Sequence, residues 1–195
     1  MTNISLFVTG GTSGIGLSTV RLFQLKNAKG IVVFDFRAPS EEILKSFGET
    51  VLFVQTDVTS WESLSNAFQS AIDKFGTIDY VYANAGIGEL DHLFVDKIEE
   101  RTGQLIAPNY AAIDVKFVSS KINLWKPADN YLRNVSLKGV LSTVKLAVHW
   151  FRKQKVPGHI VMTSSMSGYE TPGIPIYTAS KVRSSCLDLN HSLCE

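Results

Sequence analysis

The chain has 195 residues, 45% of them apolar and 19% charged, and a net charge of +1. That length suits one sizeable core rather than two, and the balanced charge gives no basis for nucleic acid or a membrane surface as partner. No apolar run is long enough to cross a bilayer, and Met1-Thr2-Asn3-Ile4-Ser5 lacks the basic region and apolar stretch of a secretory signal.

The only cysteines are Cys186 and Cys194. A disulfide framework is not expected from them, and a reducing, cytoplasmic setting is.

Leu6-Phe7-Val8 reads as a first strand, followed by Thr9-Gly10-Gly11-Thr12-Ser13-Gly14-Ile15-Gly16 and a helix from Leu17 to Lys26. Glycines let a backbone turn sharply and approach a ligand, and the helix start offers N–H groups and a positive dipole end to a pyrophosphate. Asn27-Ala28-Lys29-Gly30 is expected to end that helix, before the apolar run Ile31–Phe34 and Asp35. Strands buried on both faces of a parallel sheet have such continuous runs. Pro39-Ser40-Glu41-Glu42 resembles a helix start, and Val51–Val54 a third strand.

Leu64, Ala67, Phe68, Ala71, Ile72 and Phe75 fall on one helical face. Thr59 and Glu62 are spaced as a capping box before it, and Gly76 ends it. Ile78–Ala83 reads as a fourth strand leading into Asn84-Ala85-Gly86. A helix from Leu137 to Gln154 and a fifth strand, His159–Met162, follow, and Thr163-Ser164-Ser165 closes that strand. Strands alternating with helices predict an α/β fold: a doubly wound, Rossmann-type parallel sheet with helices on both faces. Ligands of such sheets bind beyond the carboxyl ends of the strands. The glycine turn, Asp35, Asp57, Asn84 and Ser165 are all expected there.

The chemistry follows from those ends. A carboxylate at Asp35 can accept from both adenosine ribose hydroxyls and repels a 2′-phosphate, so NAD is favoured over NADP. Arg37 is read either as a solvated loop charge or as a partial offset to that repulsion. Tyr177 and Lys181 lie four apart, on one face of a helix. A nearby ammonium stabilises phenolate and makes a tyrosine useful as an acid/base. Ser165 can hold a reacting oxygen against that phenol, with Ser164 as the alternative. A Ser–His–Asp site is not supported, because no Gly-x-Ser-x-Gly elbow is present. His92, His149, His159 and His191 have no evident partners in the sequence and no metal-ligand spacing, so no metal is expected.

Taken together, these residues resemble the short-chain dehydrogenase/reductase family from about Ile4 to Lys181. Thr9–Gly16 resembles its Thr-Gly-x-x-x-Gly-x-Gly turn, Asp57-Val58 its adenine-contacting pair, and Asn84-Ala85-Gly86 its central-strand motif. Ser165, Tyr177 and Lys181 fit its catalytic serine and Tyr-x-x-x-Lys. The resemblance implies hydride transfer between NAD and a small-molecule secondary alcohol or ketone. It makes Tyr177 the acid/base, Lys181 its support and a ribose ligand, and Ser165 the holder of the substrate oxygen. Cofactor binding then falls to Gly10, Thr12, Ser13, Gly14, Ile15, Gly16, Asp35, Arg37, Asp57, Val58, Asn84, Ala85 and Gly86, with Tyr177 and Lys181.

The sequence departs from the family at three places. Ser136 stands where the family has an asparagine whose main-chain carbonyl fixes a proton-relay water, so Ser136 is counted with the catalytic group. The spacing from Gly86 to Ser136 is longer than in the family. The excess near 115–134 is read as a retained intron or a surface loop. Beyond Lys181 the tail 182–195 is more polar than the helix expected, and the family's last strands, substrate loop and dimerisation helices are lacking. The expectation is therefore one NAD(P)-binding domain, 1–195, shortened at its C-terminus, whose homo-oligomer contacts lie in what is lacking. A non-catalytic, truncated dinucleotide-binding protein is the rival reading. A NADP-sensing regulator is a third, opposed by Asp35.

Overall fold

The first strand, β1 (Thr2–Thr9), is buried on both sides: Phe7 packs to one face, Leu6 and Val8 to the other. The computed structural model describes residues 2–87, 98–104, 134–169, 177, 178 and 181. Beside β1 lie β2 (Ala28–Asp35), β3 (Val51–Gln55), β4 (Tyr80–Ala83) and β5 (His159–Met162). All pair in parallel, in the order β3-β2-β1-β4-β5. The helices are α1 (Gly14–Leu25), α2 (Glu41–Phe47), α3 (Trp61–Phe75) and α4 (Val140–Gln154).

Two cores follow from the alternation of the strands. Phe7, Val32, Phe34 and Val81 face α3, through Leu64, Ala67, Phe68 and Ala71, and α4, through Leu146, Ala147, Trp150 and Phe151. Leu6, Val8, Ile31 and Val33 face α1 and α2, through Val20 and Phe47. Helices therefore cover both faces, as a doubly wound parallel sheet requires. Phe7, Phe34 and Phe68 join strand to helix with ring centroids 5.4–5.7 Å apart. Each such burial stabilises the fold by about 1.5–3 kcal/mol.

Three local expectations need correction. Ala28, Lys29 and Gly30 do not end α1. They begin β2, and the helix ends by Leu25, with Asn27 at a φ of 55°. The cap of α3 is Ser60, whose Oγ accepts from the Ser63 N–H at 3.2 Å. Thr59 is occupied elsewhere, its hydroxyl donating to Asp57 Oδ1 at 2.7 Å. The fourth helix has an irregular entrance, because Asn134–Gly139 form a π-helical turn before α4 begins. Ser40 caps α2 and Gly76 closes α3, as the sequence predicts.

From β1 the chain steps outward through β2 to β3 and then crosses to the other side of β1 for β4 and β5, so the winding reverses between β1 and β4. At such a switch point the loops after adjacent strands part and leave a crevice. Of the expected insertion near 115–134, all but Asn134 lies outside the described residues, as do the tail 182–195, Cys186, Cys194, His92 and His191. No described helix is long and apolar enough to cross a membrane.

Candidate functional site

The ends of β1, β2 and β4 are laced together by the turn that leaves β1. The Gly10 N–H donates to the Phe34 carbonyl at 2.7 Å. The Thr9 hydroxyl accepts from the backbone N–H groups of Asn84 and Ala85, both at 3.0 Å. In return, Asn84 Nδ2 donates to the carbonyls of Thr9 and Gly10 at 3.1 and 3.2 Å. Gly16 lies directly beneath this knot. A Cβ there would come within 2.1 Å of the Gly10 carbonyl oxygen. Its role is close packing of helix against turn, and it does not line the cleft.

The cleft above the knot has a volume of about 500 Å³. Gly10, Ser13, Gly14, Ile15, Asp35, Arg37, Asp57, Val58, Asn84, Ala85, Gly86, Tyr177 and Lys181 all line it. Thr12, Gly16, Ser136 and Ser165 are not among the residues that line it.

A dinucleotide can be tested against this geometry. α1 begins at Gly14 with Ser13 extended before it, without a side-chain cap and without an acidic residue in the first turn. Its positive end is thus not neutralised by its own turn, and Gly14 leaves open space where a Cβ would stand. A pyrophosphate fits there.

Asp35 sits at the end of β2, half-buried, on the same cleft. Thr12 donates to its Oδ2 from the backbone N–H at 3.1 Å and from the hydroxyl at 2.6 Å. Thr12 therefore orients the carboxylate. A carboxylate has about four acceptor sites; Thr12 takes two on Oδ2 and the Arg37 N–H reaches Oδ1 at the long limit of 3.5 Å, which leaves capacity on Oδ1 for a ribose hydroxyl. Arg37 is exposed on the rim, its own N–H 3.5 Å from Asp35 Oδ1. Asp57 is used locally: its Oδ1 accepts from the N–H and hydroxyl of Thr59.

At the other end, Lys181 is only 2% exposed. Its Nζ donates to the Thr163 carbonyl at 3.0 Å and lies 5.5 Å from the centre of the Tyr177 ring. Burial lowers its pKa below the ordinary lysine value, because desolvation penalises the ammonium. Ser136 is fully buried with its Oγ 3.4 Å from both the N–H and the carbonyl of Ile87. Ser136 and Lys181 flank Gly86: a Cβ on that glycine would stand 3.7 and 3.6 Å from Oγ and Nζ.

Ser165 caps a short 3-10 turn, Met166–Gly168, and its Oγ accepts from the Ser167 N–H at 3.2 Å. Tyr177 and Lys181 thus share the cleft with the glycine turn, and Ser165 does not line it. Two histidines have ring partners that the sequence did not reveal. His159 stacks on Tyr80 at 4.7 Å, and His149 meets Trp150 edge-on. Among the described residues no three His, Cys, Asp or Glu side chains gather to hold a metal.

The glycine turn, Asp35 and the Tyr177–Lys181 pair converge on one crevice of a doubly wound sheet. Residues 5–119 match the family model described as short chain dehydrogenase. The chain belongs to the short-chain dehydrogenase family. That match ends inside the stretch 115–134 read above as excess. Over 175 residues this family member is 34% identical to the short-chain dehydrogenase/reductase prx4 of Penicillium roqueforti, covering 89% of its own length and 44% of that protein's. It therefore spans less than half the length of that curated relative.

Among solved structures it resembles 3-ketoacyl-(acyl-carrier-protein) reductase from Brucella melitensis, complexed with NADH, at a TM-score of 0.69 and 22% identity. The overlap covers 93% of this chain and 65% of that one. It also resembles the NADPH-dependent 3-quinuclidinone reductase from Rhodotorula rubra, at a TM-score of 0.67 and 23% identity, covering 94% and 61%. These likenesses establish the dehydrogenase fold. One of the two binds NADH and the other is NADPH-dependent, so the fold does not choose the cofactor.

Sequence reasoning missed Phe34, Phe36, Thr56, Ile87, Val135 and Thr163 of the cleft lining, and Thr163 has the most hydrogen bonds to the site. It lines the cleft, supplies the carbonyl for Lys181, and bonds through its hydroxyl to Asn84. A lone threonine after an apolar strand carries no motif. Only the pairing of Ala83 with Met162 brings it to the Asn84 loop.

Proposed function

We propose that this chain carries the cofactor-binding and acid/base residues of an NAD-dependent oxidoreductase acting on a small secondary alcohol or ketone. The observation that carries the reading is the buried Lys181 beside Tyr177, in the same cleft as Asp35 and the uncapped start of α1. The first turn of α1 would hold the pyrophosphate, and Asp35, oriented by Thr12, the adenosine ribose. NAD, when bound, supplies the hydride acceptor.

The remaining work falls to side chains. In the oxidative direction the Tyr177 phenolate takes the proton of the substrate hydroxyl, and in reduction the phenol returns it. The Lys181 ammonium favours the phenolate electrostatically. Ser165 accepts from the Ser167 N–H, and its O–H is left as the donor that the family resemblance assigns to the substrate oxygen, for a substrate that extends past the cleft lining. Asp35 supports NAD over NADP, because a ribose 2′-phosphate would face a carboxylate across the cleft.

A second reading has one observation in its favour. Ser165 stands outside the cleft lining, which suits a dinucleotide-binding protein without turnover. The two readings part in one experiment: NADH fluorescence titration of the chain, followed by a panel of secondary alcohols with NAD. Binding with alcohol-dependent NADH formation supports the enzyme. Binding without it supports the second reading, and no binding refutes both.

A further inference from the structure

Thr163 follows β5 directly, and its hydroxyl oxygen lies 2.9 Å from both Asn84 Oδ1 and Tyr82 Oη. A hydroxyl has one proton, and an amide oxygen only accepts. The Thr163 proton therefore goes to Asn84, and Tyr82 donates to Thr163. The amide orientation this needs is fixed independently, since Asn84 Nδ2 faces the carbonyls of Thr9 and Gly10. A directed chain results: Tyr82 to Thr163, Thr163 to Asn84, Asn84 to the glycine turn. On its backbone side Thr163 accepts from Lys181 Nζ at 3.0 Å, and its N–H is bound to the Ala83 carbonyl at 3.2 Å.

We propose that Thr163 is a positioning residue that couples the glycine turn to Lys181, its hydroxyl setting Asn84 and through it the carbonyls of Thr9 and Gly10. The inference rests on the dinucleotide reading above. Its physical content lies in the hydroxyl alone. Valine has nearly the same shape and suits a strand end equally well. It would leave Asn84 Oδ1 without its donor and Tyr82 Oη without its acceptor, at a half-buried site where such losses are costly. Asn84 would then hold the turn less firmly, and a smaller fraction of molecules would present it in the form that accepts a pyrophosphate.

The test is NADH fluorescence titration of the 195-residue chain and of Thr163→Val and Thr163→Ser. Thr163→Val is expected to bind about fivefold to tenfold more weakly, the equivalent of one lost hydrogen bond. Thr163→Ser restores the hydroxyl and is expected within about twofold of the native chain. Native affinity in Thr163→Val, even with a lowered melting temperature, overturns the proposal, as does a serine variant no better than valine. Should the valine variant not fold, Tyr82→Phe removes the outer donor and carries the test. Binding about threefold weaker is expected from it, and unchanged affinity overturns the coupling. A native chain that binds no NADH instead refutes the dinucleotide reading, and the coupling falls with it.

Discussion

Thr12 directs two donors, its backbone N–H at 3.1 Å and its hydroxyl at 2.6 Å, onto one oxygen of Asp35. The glycine turn is thereby tied to the carboxylate that ends β2, and in the proposed function the two have separate parts, the turn for the pyrophosphate and Asp35 for the ribose. Asp35→Ala removes the charge and frees Thr12. NADH binding should fall about tenfold, as for lost charge-assisted bonds, and the preference for NADH over NADPH should shrink with it. Thr12→Val removes only the hydroxyl, so it should weaken NADH binding by less and leave the preference intact. Parallel titrations with NADH and NADPH read both effects. Equal loss of preference in the two variants would contradict the separate roles.

Gly16 is required by space. A Cβ would lie 2.1 Å from the Gly10 carbonyl oxygen and 2.7 Å from Asn84 Nδ2. Backbone on one side cannot yield as a side chain can. Gly16→Ala should cost about 1–3 kcal/mol of stability, the usual range for overpacking. In urea this appears as a lower midpoint at unchanged slope. A variant as stable as the native chain would show that turn and helix are not packed as described.

Much of this arrangement is legible in the residues, and what is not has identifiable causes. The run Ile31–Phe34 reads as a buried strand because both of its faces are covered. Its true start is hidden. Gly30 looks like a helix stop, yet it lies in β2, with the Phe75 ring where a Cβ would be. That contact spans distant segments, so no local pattern carries it. Ser60 and Thr59 are both plausible caps by type. The choice falls to Ser60 because Asp57, two residues before Thr59, already holds the Thr59 hydroxyl.

In the site, the glycine turn, Asp35 and the Tyr177–Lys181 spacing are local signals and were readable as such. Thr163 was not, since its importance arises from the register of β4 with β5. Ser165 follows the end of β5 by three residues and caps the 3-10 turn Met166–Gly168, a local arrangement with no signal in the sequence, and it is not among the residues that line the cleft.

Lys181 gives a prediction for pH. Burial lowers its folded-state pKa below 10.5, the value expected of the unfolded chain. Between the lowered value and 10.5 the unfolded chain binds more protons than the native one, so stability rises with pH across that window. At lower pH the lysine is charged in both states, and the native state bears the desolvation penalty in full. Lys181→Met has no such proton to lose. The unfolding free energy of the native chain minus that of Lys181→Met should therefore increase as pH rises toward 10.5. Urea unfolding of both proteins at a series of pH values measures it. A flat or falling difference would contradict the burial of a titrating ammonium at this position.

The central claim is that Tyr177 exchanges the proton while the glycine turn and Asp35 hold NAD. Tyr177→Phe tests it most directly, because it removes one oxygen and keeps the ring beside Lys181. NADH titration and NADH formation from a secondary alcohol are measured on the native and variant chains. The prediction is an NADH affinity within about threefold of native, with turnover reduced by a factor of at least about 100, the lower range for a lost general acid/base. Native turnover in the phenylalanine variant would contradict it.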